Sequence, residues 1–251
     1  MKNNKNQEFQ DKRALVNIDI NKEEYFSKKP FPYYSQKNIL KEKFALKCQN
    51  EILKIPDDQW DRYSNPFEQK YTLRDKTKLP PNCCKLFDYL TSESFLNKLF
   101  DIVGQKLIND PNRNWWGIHK YDDGDHLDIH IDAGLHPLNK KKKYTTLGIY
   151  LSKEWKEENG GHLEIWEGDK VNAGDCKIYN CIDKILPIFN TLVIFNCTDN
   201  AWHGNPEPIS IKNGEKRIFV TLSYLSEEYD KTDYSNQLQK VFFIKRPNDP
   251  E

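Results

Sequence analysis

Six short segments in which apolar and polar residues alternate follow one another after residue 110, and they constrain the fold more than any other feature. The segments are WWGIHKY (115–121), HLDIHID (126–132), YTTLGIYL (144–151), GHLEIWEG (161–168), NTLVIFNC (190–197) and RIFVTLSYL (217–225). Clusters of Gly, Asn, Asp and Pro separate them, and no helical pattern lies between them. Alternation with a period of two is typical of strands with one buried face. Closely spaced short strands without helices favour an antiparallel sandwich or barrel.

Two amphipathic helices are predicted upstream of this β-region. From Gln36 to Lys54 the apolar residues recur every four positions, and the pattern stops before Pro56. A second pattern follows Thr91, and its apolar stripe comprises Phe95, Leu96, Leu99, Phe100, Val103 and Leu107. Residues 57–82 are rich in Asp, Asn, Lys and Pro and are predicted to form a long loop. The segment ALVNIDI (14–20) is a candidate edge strand.

The order of these patterns predicts an α+β fold in which helices precede a β-core. We expect residues 1–110 to form an N-terminal extension with supporting helices, as part of the same domain as the β-core. That core is predicted at residues 111–226. Residues 227–251 form a tail whose apolar patch, KVFFIK (240–245), is predicted to dock on the core.

The charge balance gives no indication of a polyanionic partner. The chain has 38 Lys and Arg and 38 Asp and Glu, so nothing favours binding to nucleic acid. The run KKKK (140–143) is interpreted as a solvated loop. No apolar run approaches the length that spans a membrane, and the polar segment MKNNKNQEFQDKR lacks the apolar part of a signal peptide. These features predict a cytoplasmic protein without a membrane partner; the oligomeric state stays open.

The segment HLDIHID carries a candidate metal site. A regular strand here places two His-x-Asp pairs on one face and the apolar residues on the other. The pairs are His126 with Asp128 and His130 with Asp132. An imidazole and a carboxylate two positions apart can take adjacent positions around one metal ion, but the spacing does not choose between the pairs. The alternative is a solvent-facing strand that binds nothing.

Two residues from distant segments add to this site. His203 lies in CTDNAWHGNPEP (197–208), directly after an apolar strand, and is the candidate third ligand. Arg217 begins the last core strand and shares a face with Phe219 and Thr221. A guanidinium directed into a barrel is costly unless an anion meets it, and a dicarboxylate would supply one.

Taken together, these segments resemble the Fe(II)/2-oxoglutarate-dependent oxygenases, specifically the prolyl 4-hydroxylase-like branch. The matching elements are GDHLDIHID, YTTLGIYLSKEW, GGHLEIW, NTLVIFNCTDNAWHGNPEP and KRIFVTLSYL, within residues 112–226. The resemblance implies a double-stranded β-helix (jelly-roll) core of antiparallel strands with the N-terminal helices packed on one face.

The resemblance also implies one ligand set. The family motif G-x-x-L-x-x-H-x-D falls on Gly124, Leu127, His130 and Asp132. His130 and Asp132, completed by His203, would hold Fe(II), with 2-oxoglutarate and O2 as cosubstrates and ascorbate as a supporting reductant. By resemblance, Arg217 would pair with a carboxylate of 2-oxoglutarate, and Tyr150 and Thr221 are candidates for supporting hydrogen bonds. Thr146, which shares a strand face with Tyr150, and Tyr121, which points inward, are further candidate contacts.

The remaining histidines are predicted to lie outside the ligand set. His126 belongs with Asp128 to the unused pair and is expected to line the mouth of the site. His119, which shares the inward parity of Tyr121, is a candidate contact of substrate or cosubstrate, or a packed core residue. His136 is predicted to be exposed, and His162 to end a strand.

The function that the resemblance implies is hydroxylation of an unactivated C–H bond, with release of succinate and CO2. A prolyl residue in a protein or peptide is the leading substrate class. One alternative is the same chemistry on a small molecule, such as a free amino acid or a sugar-linked intermediate. Another is a non-catalytic jelly-roll protein that binds metal, although such a protein has no need of Arg217. The carboxylate of Asp132 favours hydroxylation over halogenation.

Overall fold

The computed structural model describes residues 15–171, 175–212, 214–228 and 240–249. The helices in this part of the chain are α1 (Lys22–Ser27), α2 (Glu42–Ile52), α3 (Pro81–Leu90) and α4 (Glu93–Val103). The strands are β1 (Tyr33–Lys37), β2 (Asp61–Asn65), β3 (Glu68–Leu73), β4 (Trp116–Tyr121), β5 (His126–Ala133), β6 (Lys142–Tyr150), β7 (Leu163–Gly168), β8 (Ile178–Ile185), β9 (Thr191–Asn196), β10 (Trp202–Asn205), β11 (Arg217–Ser226) and β12 (Lys240–Phe243). None of these helices is long and apolar enough to cross a membrane.

The strands form one antiparallel sheet that curls into a nearly closed jelly roll. One half has the order β1-β9-β6-β11-β4, and the other has the order β5-β10-β7-β8. Strand β3 joins the halves because it pairs with β4 along Tyr71–Leu73 and with β5 at Glu68 and Gln69. The predicted jelly-roll core of antiparallel strands is therefore confirmed, and all six alternating segments form core strands.

The helices pack on the outer face of the larger half. Ile218, Val220 and Leu222 of β11 belong to the same buried cluster as Leu86 of α3 and Leu99 of α4. These side chains alternate with Arg217, Phe219 and Thr221, which face the opposite side and line the cavity of the barrel. The face assignment made from alternation in β11 is thus correct.

Local capping explains where α4 begins and ends. The side chain of Ser92 accepts a hydrogen bond from the backbone N–H of Phe95 and caps the first turn. Gly104 ends the helix with a φ of 66°, in the left-handed region that glycine adopts without strain. The predicted helix after Thr91 is therefore present, but it stops before Leu107.

The predicted loop at residues 57–82 is wrong. It contains the hairpin of β2 and β3, and α3 begins at its end, with Pro81 in the first turn. Strand β2 is exposed or half-buried along its whole length, so no alternation of apolar residues marks it. Proline in the first helical turn lacks an N–H that would have no partner there. The pair Pro80-Pro81 therefore begins a helix rather than interrupting one.

Other boundaries also differ from the predictions. The helix expected from Gln36 begins at Glu42, because β1 extends to Lys37 and pairs with β9. In the candidate edge strand 14–20, residue 14 lies outside the described residues, and Val16 forms only an isolated bridge with Leu40. Part of the tail, residues 229–239, also lies outside them.

The apolar patch near residue 240 docks on the core. Strand β12 pairs with the second half of β5, where Val241 lies opposite Asp132 and Phe243 lies opposite His130. Phe243 also stacks on Phe67 at the turn of the β2–β3 hairpin, with ring centroids 4.9 Å apart. The hairpin and β12 thus meet at the mouth of the cavity.

Candidate metal centre and cosubstrate cavity

His130, Asp132 and His203 converge inside the barrel. Strands β5 and β10 pair so that His203 lies directly opposite His130, and their ring centroids are 4.5 Å apart. One potential ligand atom from each of the three residues lies within 4.8 Å of the others. Both histidines are buried, and Asp132 is partly exposed to the cavity.

The backbone sets the tautomer of both histidines. Nδ1 of His130 lies 2.8 Å from the carbonyl oxygen of Asp128, and Nδ1 of His203 lies 2.8 Å from that of Ala201. A carbonyl only accepts, so each Nδ1 carries the proton and each Nε2 offers a lone pair. Burial, with a smaller contribution from His203, lowers the pKa of His130 to about 3. Burial likewise lowers the pKa of His203, so both rings are neutral near pH 7.

Lys143 holds the carboxylate of Asp132. Its Nζ lies 2.7 Å from Oδ2 of Asp132, while Oδ1 lies 3.8 Å from Nε2 of His130. Burial by itself raises the pKa of Asp132, but the positive charge of Lys143 is the largest opposing cause, and the pKa lies well below its usual range. One carboxylate oxygen is thus engaged by the lysine, and the other faces the imidazoles.

This contact corrects the interpretation of the run KKKK as a solvated loop. Lys142 and Lys143 begin β6, and each is only 5% exposed. The ammonium group of Lys143 also lies over the ring of Trp115, 5.3 Å from its centroid. Four consecutive lysines are typical of an exposed segment, which is why the sequence predicted a solvated loop. The partner that makes the burial of Lys143 favourable, Asp132, lies on another strand.

An irregularity in β5 separates the two His-x-Asp pairs. His203 pairs with His130, whereas Asn205 pairs with Leu127, so two steps along β10 correspond to three along β5. An extra residue of this kind turns the following side chains to the other face. Leu127 consequently lines the cavity, and His126 and Asp128 do not. The expectation that these two residues line the mouth of the site is wrong.

Gly204 permits the close approach that this geometry needs. A Cβ atom at Gly204 would lie 2.7 Å from the carbonyl oxygen of Asp128 and 2.8 Å from that of Leu127. Real Cβ atoms are not found so close to backbone oxygens, so a larger residue would push β10 away from β5. The glycine after His203 therefore keeps the two histidines together.

A cavity of about 350 Å³ contains the three candidate ligands and all the other sequence-predicted site residues. The residues predicted to contact 2-oxoglutarate that line it are Tyr121, Thr146, Tyr150, Arg217 and Thr221. Both threonine hydroxyls already have protein partners. Thr221 donates to the carbonyl oxygen of Leu147 (3.0 Å), and the hydroxyl of Thr146 is hydrogen-bonded to that of Ser223 (2.9 Å). The two tyrosines and the arginine add further polar groups to the lining of the same cavity.

Arg217 is a buried cation that lines the cavity. Its side chain is 2% exposed, Nε donates to the carbonyl oxygen of Gly161 (2.9 Å), and one terminal nitrogen donates to the hydroxyl of Tyr150 (3.3 Å). The guanidinium also lies over the rings of Tyr121 and Tyr150, at 4.6 and 5.0 Å. Among the described residues, no carboxylate forms an ion pair with Arg217.

His119 lines the cavity as well. Burial, followed by the charges of Lys70 and Arg74, lowers the pKa of His119 well below its ordinary value. Its ring is tilted against that of Phe219, with centroids 6.3 Å apart. His119 thus presents a neutral imidazole to the interior of the barrel.

The prediction that His136 is exposed is wrong. His136 and Asp110 are both fully buried, with Nε2 of the histidine 3.1 Å from Oδ1 of the aspartate. Nδ1 of His136 accepts from the backbone N–H of Leu138 (3.2 Å). The contact ties the loop before β4 to the loop before β6, a long-range pairing that sequence spacing does not reveal.

The residues that sequence reasoning missed are Lys143 and Asn205. Alternation marks neither one, since Lys143 stands in a charged run and Asn205 follows the irregular pairing of β10 with β5. Asn205 does share the parity of His203, two positions earlier, and this was the one available signal.

Comparison with known proteins identifies the family that the barrel resembles. Residues 116–225 match the sequence profile of the 2OG-Fe(II) oxygenase superfamily. This match spans β4 to β11 and confirms the resemblance that the motifs indicate. No curated sequence matches the chain.

Several solved structures share the fold at low sequence identity. A Pseudomonas putida prolyl-4-hydroxylase aligns with a TM-score of 0.57 at 12% identity, covering 80% of this chain and 95% of that one. A Trichoplax adhaerens prolyl hydroxylase, solved with a hypoxia-inducible factor oxygen degradation domain peptide fragment, has a TM-score of 0.60 at 18% identity, covering 90% and 95%. HygX from Streptomyces hygroscopicus, solved with nickel and 2-oxoglutarate bound, has a TM-score of 0.52 at 12% identity, covering 85% and 88%. The fold is that of the prolyl 4-hydroxylases.

Proposed function

We propose, from a barrel that matches the 2OG-Fe(II) oxygenase superfamily, that this protein is an Fe(II)- and 2-oxoglutarate-dependent dioxygenase that hydroxylates an unactivated C–H bond. The observation that carries the proposal is the pairing of two features in one cavity. His130, Asp132 and His203 offer three ligand atoms within 4.8 Å of one another, and Arg217 offers a buried cation with no carboxylate partner among the described residues.

The donor set fits Fe(II). Two neutral imidazole nitrogens and one carboxylate oxygen form the 2-His-1-carboxylate set associated with non-haem Fe(II) oxygenases. When bound, Fe(II) with O2 and 2-oxoglutarate supplies the oxidation that places a hydroxyl group on the substrate and releases succinate and CO2, with ascorbate as a supporting reductant.

The residues of the chain bind and orient the reactants. The backbone carbonyls behind His130 and His203 fix the ring orientation and keep Nε2 free for a metal ion. Lys143 engages one oxygen of Asp132 and leaves the other to face the imidazoles. The aspartate would therefore bind through a single oxygen, which leaves more coordination positions to the cosubstrates.

Arg217 would bind the carboxylate of 2-oxoglutarate that is remote from the metal. A planar guanidinium meets a carboxylate through two hydrogen bonds. The hydroxyl of Tyr150, 3.3 Å from the guanidinium, lies next to this position. Burial raises the pKa of Tyr150 to about 12, against the opposing charge of Arg217, so the phenol keeps its proton and can donate a hydrogen bond.

A prolyl residue in a protein or peptide is the substrate class that we propose. The shared fold with prolyl hydroxylases supports it, one of them solved with a peptide fragment. The lining of the cavity also supports it, because Tyr63, Trp115 and Phe243 contribute aromatic side chains to it. The alternative is the same chemistry on a small molecule, such as a free amino acid or a sugar-linked intermediate.

The proposal is tested with purified protein, Fe(II), ascorbate and 2-oxoglutarate. We expect slow formation of succinate without substrate, and a product heavier by one oxygen atom when proline-containing peptides are added. A metabolite pool in a parallel incubation distinguishes the small-molecule alternative. The absence of both succinate formation and 2-oxoglutarate binding in a titration would overturn the proposal in favour of a non-catalytic metal-binding protein.

A further inference from the structure

Asn205 has a buried amide nitrogen without a hydrogen-bond partner. Its side chain is 3% exposed, and Nδ2 contacts no acceptor among the described residues. In native proteins a buried donor without a partner is uncommon and calls for an explanation. Asn205 follows His203 by two positions in β10, so both side chains lie on the same face of the strand. Both line the same cavity.

The surroundings of Asn205 indicate what the amide can recognise. Leu127, which lies opposite it on β5, and Leu163 of β7 line the same cavity and offer no acceptor in their side chains. Arg217, with 2% exposure, lines this interior as well. Two donors without carboxylate partners therefore face one enclosed volume, and a ligand with several acceptor oxygens satisfies both.

We infer that the side chain of Asn205 donates a hydrogen bond to a carboxylate oxygen of bound 2-oxoglutarate and is a specificity-determining residue for this cosubstrate. This inference rests on the proposed function. Hydrogen bonds with one charged partner are stronger than neutral ones. A ligand that lacks the acceptor leaves the amide unpaired, so Asn205 selects against it.

The deep position of Asn205 favours the cosubstrate over the hydroxylated substrate. Arg74, which lines the cavity, is exposed, whereas Asn205, Tyr121 and Tyr150 are almost completely buried. A substrate that reaches the site from the mouth meets the aromatic surface there first. The amide is therefore available to a molecule bound in the cavity that His203 and Arg217 also line.

Two variants of nearly the same size test the inference. Asn205→Leu removes the donor and keeps the shape, and Asn205→Asp puts a negative acceptor where the donor was. The assay is calorimetric titration of 2-oxoglutarate into protein loaded with Mn(II), which fills the metal site without turnover. We expect Asn205→Leu to weaken 2-oxoglutarate binding by about 10-fold or more, and Asn205→Asp to weaken it further because two carboxylates then repel each other.

A titration of Mn(II) into each variant separates this role from a structural one. Asn205 is not one of the three candidate ligands, so the Mn(II) affinity of Asn205→Leu should equal that of the wild type, and this variant should unfold at the same temperature or higher. If the wild type binds 2-oxoglutarate and Asn205→Leu binds it equally well, the inference is overturned and the proposed function stands. If the wild type does not bind 2-oxoglutarate, the proposed function itself fails.

Discussion

Replacing Arg217 by Met should strongly weaken 2-oxoglutarate binding without unfolding the protein. Methionine fills much of the same volume between Tyr121 and Tyr150 but has neither charge nor donors. Truncating one member of a buried, hydrogen-bonded charge pair costs about 2–5 kcal/mol. Because 1.4 kcal/mol is tenfold in a dissociation constant, the affinity for 2-oxoglutarate should fall by about 30- to 4,000-fold.

The stability of the ligand-free protein should change far less. Arg217 donates two hydrogen bonds, to Gly161 and Tyr150, and each is worth about 1 kcal/mol. In the wild type, burial of the unpaired guanidinium costs several kcal/mol of desolvation. The substitution removes this cost, which offsets the loss of the two hydrogen bonds. We expect the free energy of unfolding of Arg217→Met without ligand to remain within about 2 kcal/mol of the wild type.

Thermal unfolding with Mn(II), in the presence and absence of 2-oxoglutarate, measures both quantities. Ligand at 100 times its dissociation constant stabilises the wild type by about 2.7 kcal/mol, which raises Tm by about 5–10 °C for a chain of this length. Arg217→Met should show no such rise. Arg217→Lys is the matched control, because it keeps the charge without the two-pronged geometry, and its rise should be intermediate. An undiminished rise in Arg217→Met would refute the role given to Arg217.

Three further changes test other parts of the site. His130→Ala should abolish both Mn(II) binding and succinate formation while His126→Ala leaves them intact, and the reverse result in metal titrations would reject the choice of pair. Gly148→Ala should lower the free energy of unfolding in urea by about 1–3 kcal/mol, because the added Cβ would lie 1.9 Å from the ring of Phe219; an unchanged unfolding midpoint would contradict this. The lowered pKa of His119 means that the unfolded chain binds a proton below about pH 6.5 that the native state resists. The neutral, buried His119 therefore contributes stability above about pH 6.5, and this contribution is lost as the pH falls. In urea titrations at each pH, the free energy of unfolding of His119→Gln should decline less steeply between about pH 6.5 and 4. An equally steep decline in this variant would show that His119 contributes nothing to it.

Alternation predicted the parts of the fold in which one face is buried and the other is not. In β11, alternation assigned Ile218 and Arg217 to opposite faces. In the structure Ile218 packs in the core beneath the helices, and Arg217 lines the cavity. The hairpin of β2 and β3 was missed because β2 has no buried side chain, so its pattern resembles that of a loop. A strand that depends on backbone pairing alone leaves little trace in composition.

The site was predictable up to the irregularity in β5. Parity alone grouped His126 with His130, and only the resemblance chose between the pairs. The structure separates them by an extra residue between Leu127 and His130, which follows from how β10 approaches β5 at Gly204. The role of a side chain such as Lys143 depends on a partner from a distant strand. The spacing of residues within one segment carries no information about such a partner, so the local pattern did not predict this role.

The pairing of β12 with β5 has a consequence for biosynthesis. On one edge, β3 covers only the beginning of β5, at His126 and Leu127, and β12 covers the stretch from His130 to Ala133. A ribosome has to translate through residue 243 before the ligand-bearing part of β5 has a neighbour on both sides. Until then, a nascent chain presents an open strand edge beside His130 and Asp132.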